Sequence, residues 1–307
     1  MSAISVTGLA KSYGDNVALV GVDFEVGVGE TVAILGPNGA GKTTTVEILE
    51  GFRPRDGGWV SVLGEDPEEA GRSWRARLGL VLQATSLDER LTVREELGLY
   101  AGMYPNPRPV EEVLEMVGLA EEADRCIGTL SGGQKRRVDL GLGIVGNPEL
   151  LFLDEPTTGF DPAARRAAWE SIELLCASGM TVVLTTHYLE EAERLADRVV
   201  VVVGGRVVAD ASPEQVSKIA RHGSVVRFPV PEDAGLPKVL AGDAALENGW
   251  ATIRTDDLEP TLGELLQWAR ERKVNLDQMT VSRSTLEDAY MALIADGENE
   301  RRHHEVA

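Results

Sequence analysis

The chain has 307 residues, 26% of them charged, and a net charge of −20. That length holds one large or two ordinary domains, each with its own core, and an acidic surface spread along the chain repels phosphate backbones, which excludes nucleic acid from the expected partners. Two cysteines, Cys126 and Cys176, make neither a disulfide framework nor a metal cluster. No stretch approaches the roughly 18 apolar residues of a membrane helix, and the N-terminus lacks a secretory signal pattern, so the expectation is a soluble, cytoplasmic protein.

Ile4 to Leu9, Val17 to Leu19 and Val22 to Val26 alternate apolar and polar residues, which predicts an antiparallel meander with Tyr13-Gly14 in a turn. An aromatic ring on that turn can stack on a base or cover a strand edge. Thr31 to Leu35 is a short apolar run of buried-strand type, and helical spacing resumes at Val46, Ile48 and Leu49. Between them lies Gly36-Pro37-Asn38-Gly39-Ala40-Gly41-Lys42-Thr43-Thr44, which fits G-x-x-x-x-G-K-[ST]. Strand, glycine-rich turn and helix start place a nest of N–H groups at a positive helix end, a phosphate site. Lys42 can reach the β- and γ-phosphates, and the Thr43 hydroxyl can ligate Mg²⁺.

Trp59 to Gly64 reads as strand and turn, Asp66 to Arg77 as helix-compatible, and Leu78 to Leu82 as a strand ending at Gln83, whose amide can reach a metal ion or an attacking water. Thr92 and Glu95 are spaced as a capping box for a helix to Tyr104, and Val110 to Val117 is amphipathic. In Leu130-Ser131-Gly132-Gly133-Gln134, Ser131 can cap the helix that follows, and two glycines bare its first N–H groups, a second anion-binding helix end. Lys135, Arg136 and Arg137 read as surface charges of that helix.

Leu150 to Leu153 is a buried strand ending in Asp154-Glu155, and in open α/β sheets ligands gather at that edge. Asp154 is expected to hold Mg²⁺ and Glu155 to polarise the attacking water. Gly159-Phe160-Asp161 closes a tight loop before a helix from Ala163 to Ala177, and the strand Met180 to Thr186 carries His187 to the same edge. A helix follows from Tyr188 to Ala196, then a valine-rich hairpin around Gly204-Gly205 and a helix opened by Ser212-Pro213. From about Ser224 the character changes to three short strands (Ser224 to Phe228, Trp250 to Arg254, Gln278 to Val281), an amphipathic helix from Thr261 to Lys273 and a last helix opening at Ser284. The expected domains are 1–220, 224–296 and a disordered tail, 297–307.

Together these residues resemble the ATP-binding-cassette (ABC) ATPase family over residues 1 to about 220. Tyr13 stands where that family has its base-stacking aromatic, Gly36 to Thr44 matches the Walker A loop, Gln83 the Q-loop, Leu130 to Gln134 the LSGGQ signature, Leu150 to Glu155 the Walker B strand with its catalytic glutamate, Gly159 to Asp161 the D-loop and His187 the switch histidine. Phe160 replaces a usual Leu, and Leu82 a common Pro.

The resemblance implies an α/β fold: a P-loop ABC ATPase domain with a mixed RecA-like core sheet, an antiparallel β subdomain and an α-helical subdomain, followed by a small α+β C-terminal domain. It implies ATP and Mg²⁺ as cofactors, with Glu155, His187 and Gln83 catalytic, and with Thr43, Gln83 and Asp154 on the metal. Two copies would clamp two ATP molecules head to tail, each between one copy's Walker A loop and Ser131 to Gln134 of the other, with Asp161 of the D-loop among the nucleotide-binding residues. A separately encoded membrane permease is the implied partner, which places the chain on the inner face of the membrane. Ser284-Thr285-Leu286-Glu287-Asp288 is similar to a stretch in the C-terminal extension of daunorubicin-resistance exporter ATPases, with Ser where Pro is usual; this implies export of drug-like or lipophilic compounds. A soluble ABC ATPase with a non-transport role is the alternative, and a regulatory module without turnover is disfavoured by Glu155 and His187.

Overall fold

The computed structural model describes residues 2–81, 87–219, 224–231, 244–247, 249–283 and 285–294. It divides into two compact units, one running to Pro213 and the other spanning Glu214–Ala295.

The first unit opens with β1 (Ser2–Tyr13) and β2 (Asn16–Gly27), then β3 (Thr31–Leu35), α1 (Lys42–Leu49) and β4 (Gly57–Val62). β1 pairs antiparallel with both β2 and β4, giving a three-stranded sheet in the order β2-β1-β4. Next come α2 (Arg72–Arg75), β5 (Leu78–Val81), α3 (Val93–Ala101), α4 (Val110–Met116) and α5 (Gly132–Val145). The unit is completed by β6 (Leu150–Asp154), α6 (Pro162–Ala177), β7 (Thr181–Thr185), α7 (Leu189–Leu195), β8 (Arg198–Val203) and β9 (Arg206–Ala211). The main sheet runs β5-β6-β7-β3-β8-β9, parallel throughout except for the antiparallel β9. Parallel strands are covered on both faces and so need continuously apolar sequences; every residue of β3 and β7 is buried, as are the first four of β6.

One core cluster lies between the two sheets and encloses α1. Leu9, Val22 and Val60 come from the small sheet, Ile48 and Leu49 from α1, and Ile34, Phe152 and Val183 from the large one. Trp74 of α2 is fully buried there, with its Nε1 donating to Val62 O at 2.8 Å. The helices form a separate layer in which Gly141 of α5 lets Leu97 of α3 and Val113 of α4 close in; a Cβ at 141 would stand 3.1 Å from Leu97. Of the span Asp66 to Arg77, only Arg72–Arg75 is α-helical, because turns carry the chain from β4 to that point.

The second unit contains α8 (Pro213–Ile219, which straddles the boundary), β10 (Ser224–Pro229), β11 (Ala244–Glu247), β12 (Trp250–Thr255), α9 (Leu258–Arg272), β13 (Thr280–Arg283) and a helix over residues 286–294. Its sheet is antiparallel, in the order β11-β12-β10-β13. Leu265, Trp268 and Ala269 of α9 pack on Val226, Phe228 and Ile253, and the Phe228 and Trp268 rings meet edge to face at 5.8 Å. The sequence predicts three strands, and β11 is a fourth. The last helix is capped reciprocally by Thr285 and Asp288, and Ser284, where the sequence opens it, lies outside the described residues. The expected tail, 297–307, lies outside the described residues.

Candidate functional site

The loop from Gly36 to Gly41 is shaped by what surrounds it. A Cβ on Gly36 would lie 2.3 Å from Val202 O on β8, and one on Gly41, where φ is +105°, would lie 2.8 Å from Ala18 O on β2. Glycine is therefore required at both positions on space, and at Gly41 on backbone conformation as well. Gly205, in the β8–β9 turn, donates its N–H to Ala40 O at 3.1 Å and bonds β2 through Val20. The loop is thus held on two sides by strands while its concave face stays open.

Lys42, the first residue of α1, is 8% exposed, and its Nζ donates to Gly36 O at 2.7 Å and Pro37 O at 3.1 Å. Burial holds its ammonium below the ordinary lysine range, opposed by the nearby carboxylates of Glu155 and then Asp154. Such a cation is satisfied but poorly solvated, and an entering phosphate would offer it a stronger acceptor. Tyr13 closes the cleft at its outer end, with its hydroxyl 3.4 Å from Thr44 Oγ1 and the Arg53 guanidinium 5.1 Å from its ring centre.

The carboxylates arrive by strand register. Ile34, Thr185 and Asp154 are level across β3, β7 and β6, so the ends of three adjacent strands meet beside the loop. Thr185 Oγ1 donates to Asp154 Oδ1 at 2.5 Å and fixes that side chain. Glu155 turns out of the strand at φ +46°, with its N–H bonded to Thr185 O at 3.0 Å. One carboxylate oxygen, Oε2, accepts from Thr158 Oγ1 at 3.0 Å; the other, Oε1, lies 3.4 Å from His187 Nδ1. The resulting cleft encloses about 240 Å³ and is lined by Tyr13, Lys42, Thr43, Thr44, Asp154 and Glu155 among others. Behind it Glu50 is buried, and burial, with the charges of Asp154 and Glu47 adding to it, pushes its carboxyl up to about 8.

Ser131 and Gln134 form the expected N-cap of α5. Ser131 Oγ accepts the Gln134 N–H at 3.2 Å, and Gln134 Oε1 accepts the Ser131 N–H at 2.9 Å. Gly132 and Gly133 occupy the first turn, where helix N–H groups lack intrahelical acceptors. Gly133 also admits α6, since a Cβ there would stand 3.1 Å from Ala164. Asp161 caps α6, accepting from Ala163 N at 2.8 Å and Ala164 N at 2.9 Å.

The cleft therefore brings together Tyr13, the Walker A loop, Asp154 and Glu155, with His187 against Glu155. Ser131 to Gln134 and Asp161 are absent from its lining. Gln83 lies outside the described residues. Arg136 departs from the surface position expected of it: its side chain is 11% exposed and donates to Pro156 O at 3.1 Å. Glu191 of α7 is also buried, and its Oε1 accepts from Thr157 Oγ1 and Trp169 Nε1, both at 2.8 Å, which ties the loop after Glu155 to α6 and α7. Neither role carries a sequence signal beyond charge at a helical position.

Comparison with known proteins gives the family of the chain. The family model for ABC transporters matches residues 19–158, and that for the C-terminal domain of ABC transporter domain-containing protein-like chains matches 224–285. The daunorubicin resistance ATP-binding protein DrrA2 of Streptomyces coeruleorubidus is 36% identical over 95% of this chain and 94% of its own length. A Nod factor export ATP-binding protein I from Rhizobium sp. (strain N33) is 45% identical over 69% of this chain and 71% of its own. Among solved structures, the ADP conformation of the ATP-binding cassette MJ1267 superposes with a TM-score of 0.63 at 27% identity, covering 70% of this chain and 92% of that one. A dimeric post-hydrolysis state of the cassette MJ0796, bound to ADP and Pi, gives 0.59 at 26% identity over 68% of this chain and 98% of that one.

Proposed function

The chain belongs to the ABC transporter ATPase family, and from that membership we propose that its cleft is one half of a shared ATP site, completed by Ser131 to Gln134 of a second copy. As the ATP-binding and hydrolysing subunit of an ABC transporter, it couples ATP turnover to transport. The observation that carries the proposal is the convergence of Lys42, Asp154 and Glu155 on one cleft whose lining omits Ser131 to Gln134, although that segment forms its own exposed anion-binding helix end.

In this reading Tyr13 stacks on the base, the Gly36 to Thr44 backbone cradles the phosphates, and Lys42 exchanges its carbonyl acceptors for phosphate oxygens. Thr43 and Asp154 together present hydroxyl and carboxylate oxygens, a donor set that would hold Mg²⁺, and the ion, when bound, would supply positive charge to offset that of the phosphates. Glu155 takes the proton of the attacking water, and His187, beside its carboxylate, completes the site on the γ-phosphate side. Two copies related by a two-fold axis would use both helix ends of each chain, and the dimeric cassette bound to ADP and Pi supports that arrangement by likeness.

No helix among the described residues is long and apolar enough to cross a membrane, and the relatives are named for resistance and export. These support a subunit docked on a separately encoded permease at the inner membrane face, driving export of drug-like or lipophilic compounds. Phosphate release from Mg²⁺-ATP by the purified chain tests the catalytic assignment. Glu155→Gln should lower turnover at least about a hundredfold, and wild-type turnover in that variant refutes the role of Glu155.

A further inference from the structure

Glu155 holds a left-handed backbone conformation, φ +46°, which is strained for a residue with a side chain and persists only where its surroundings over-determine it. From the sheet side, Thr185 imposes it, accepting the Glu155 N–H on its carbonyl at 3.0 Å and on its hydroxyl at 3.2 Å. From the helix side, Arg136 reaches out of α5. Its Nε donates to Pro156 O at 3.1 Å, and its Nη2 donates to Asp154 O at 3.4 Å. One guanidinium therefore spans the carbonyls of the two residues that flank Glu155. Its Nη1 lies 3.5 Å from Asp139 Oδ2 one turn along the same helix, and both side chains are about a tenth exposed, at 11% and 10%.

A buried ion pair is by itself weak evidence for stability, because desolvation offsets most of the attraction. What singles out this one is geometry: a rigid planar fork is the side chain suited to holding two carbonyls at a set separation. Those carbonyls belong to the turn that aims the Glu155 carboxylate into the cleft.

We propose that Arg136 is a positioning residue for hydrolysis, which fixes the Asp154–Pro156 backbone so that the Glu155 carboxylate meets the attacking water. The inference rests on the reading of Glu155 as the base. Arg136 lines no part of this chain's own cleft, so towards the nucleotide bound there it acts through Glu155.

Arg136→Lys tests it, because the ammonium keeps the charge opposite Asp139 but lacks the fork. The expected result is a kcat lower by about 10- to 100-fold, since displacement of a catalytic group by an ångström has that scale of effect. The KM for ATP, the affinity for a fluorescent ATP analogue and the melting temperature should stay near wild type. Arg136→Met should lose more, and if it fails to fold, the Lys variant decides. A kcat within about twofold of wild type in Arg136→Lys, or a parallel fall of affinity, melting temperature and kcat, overturns the proposal. Glu155→Gln is measured alongside. If it turns over like wild type, the assignment of Glu155 fails and the Arg136 inference fails with it. If it is inactive while Arg136→Lys is unimpaired, the Arg136 inference alone fails.

Discussion

His187 Nδ1 lies 3.4 Å from Glu155 Oε1, so the histidine at the end of one strand meets the carboxylate that ends its neighbour. The two are 32 residues apart in sequence by their numbers, and strand pairing between β6 and β7 makes them adjacent. In the proposed site this contact lets the histidine orient the base. His187→Ala is expected to lower kcat by about 10- to 100-fold while leaving ATP affinity unchanged. Steady-state phosphate release together with a nucleotide titration checks it, and an affinity loss as large as the kcat loss would place His187 in binding instead.

Lys42 already spends its donors on Gly36 O and Pro37 O, so its removal costs the loop two bonds as well as a phosphate partner. Charge-assisted bonds of this type contribute about 1.5–3 kcal/mol, so Lys42→Ala should weaken ATP binding by about 10- to 150-fold. A fluorescence titration of the folded variant measures this, and unchanged affinity removes Lys42 from the phosphate site.

Tyr13 presents its ring to the cleft with Arg53 and Lys11 close to it. Stacking on a base contributes about 1–3 kcal/mol and is indifferent to base identity. Tyr13→Ala should therefore weaken ATP and GTP binding by similar factors, whereas Tyr13→Phe should change neither. A loss confined to ATP would point to base-edge recognition.

Glu50 supplies a pH signature. Its carboxyl is pushed from 4.5 up to about 8 by burial first and by Asp154 and Glu47 next. A group with a raised folded pKa contributes stability below its unfolded value and loses it as pH rises through the folded one. Glu50→Gln, which mimics the protonated form, should therefore match wild type near pH 4.5 and become progressively more stable than it towards about pH 8, by a few kcal/mol at most, with a melting temperature that rises accordingly. Thermal scans at about pH 5.5 and about pH 8.5 decide it; an equal advantage at both would contradict the linkage.

The site elements legible in the sequence are those whose information is contiguous. The Walker A loop, the Thr92–Glu95 box and the Ser131 cap each depend on residues a few positions apart, and the structure shows both capping boxes closed. Elements that depend on tertiary placement were not legible. A Lys135-Arg136-Arg137 run reads as a solvated face, yet Arg136 turns inward to the carbonyls at the end of β6, and Arg137 donates to Val117 O and Gly118 O after α4. Thr185 gains its bond to Asp154 only through strand register. In α9, Leu266 is 44% exposed while Trp268 is buried, a rotation of the helical face that apolar spacing alone did not fix. β11 is four residues long, too short for alternation to stand out.

The central claim is that the cleft needs a second chain. Glu155→Gln, mixed with Mg²⁺-ATP, should double in molar mass by light scattering, because the nucleotide is held between two copies and not cleaved. The same variant carrying Ser131→Arg should keep the mass of the nucleotide-free protein. A mass unchanged by ATP in the first protein, or doubled by ATP in the second, would contradict a site shared between Lys42 of one copy and Ser131 of another.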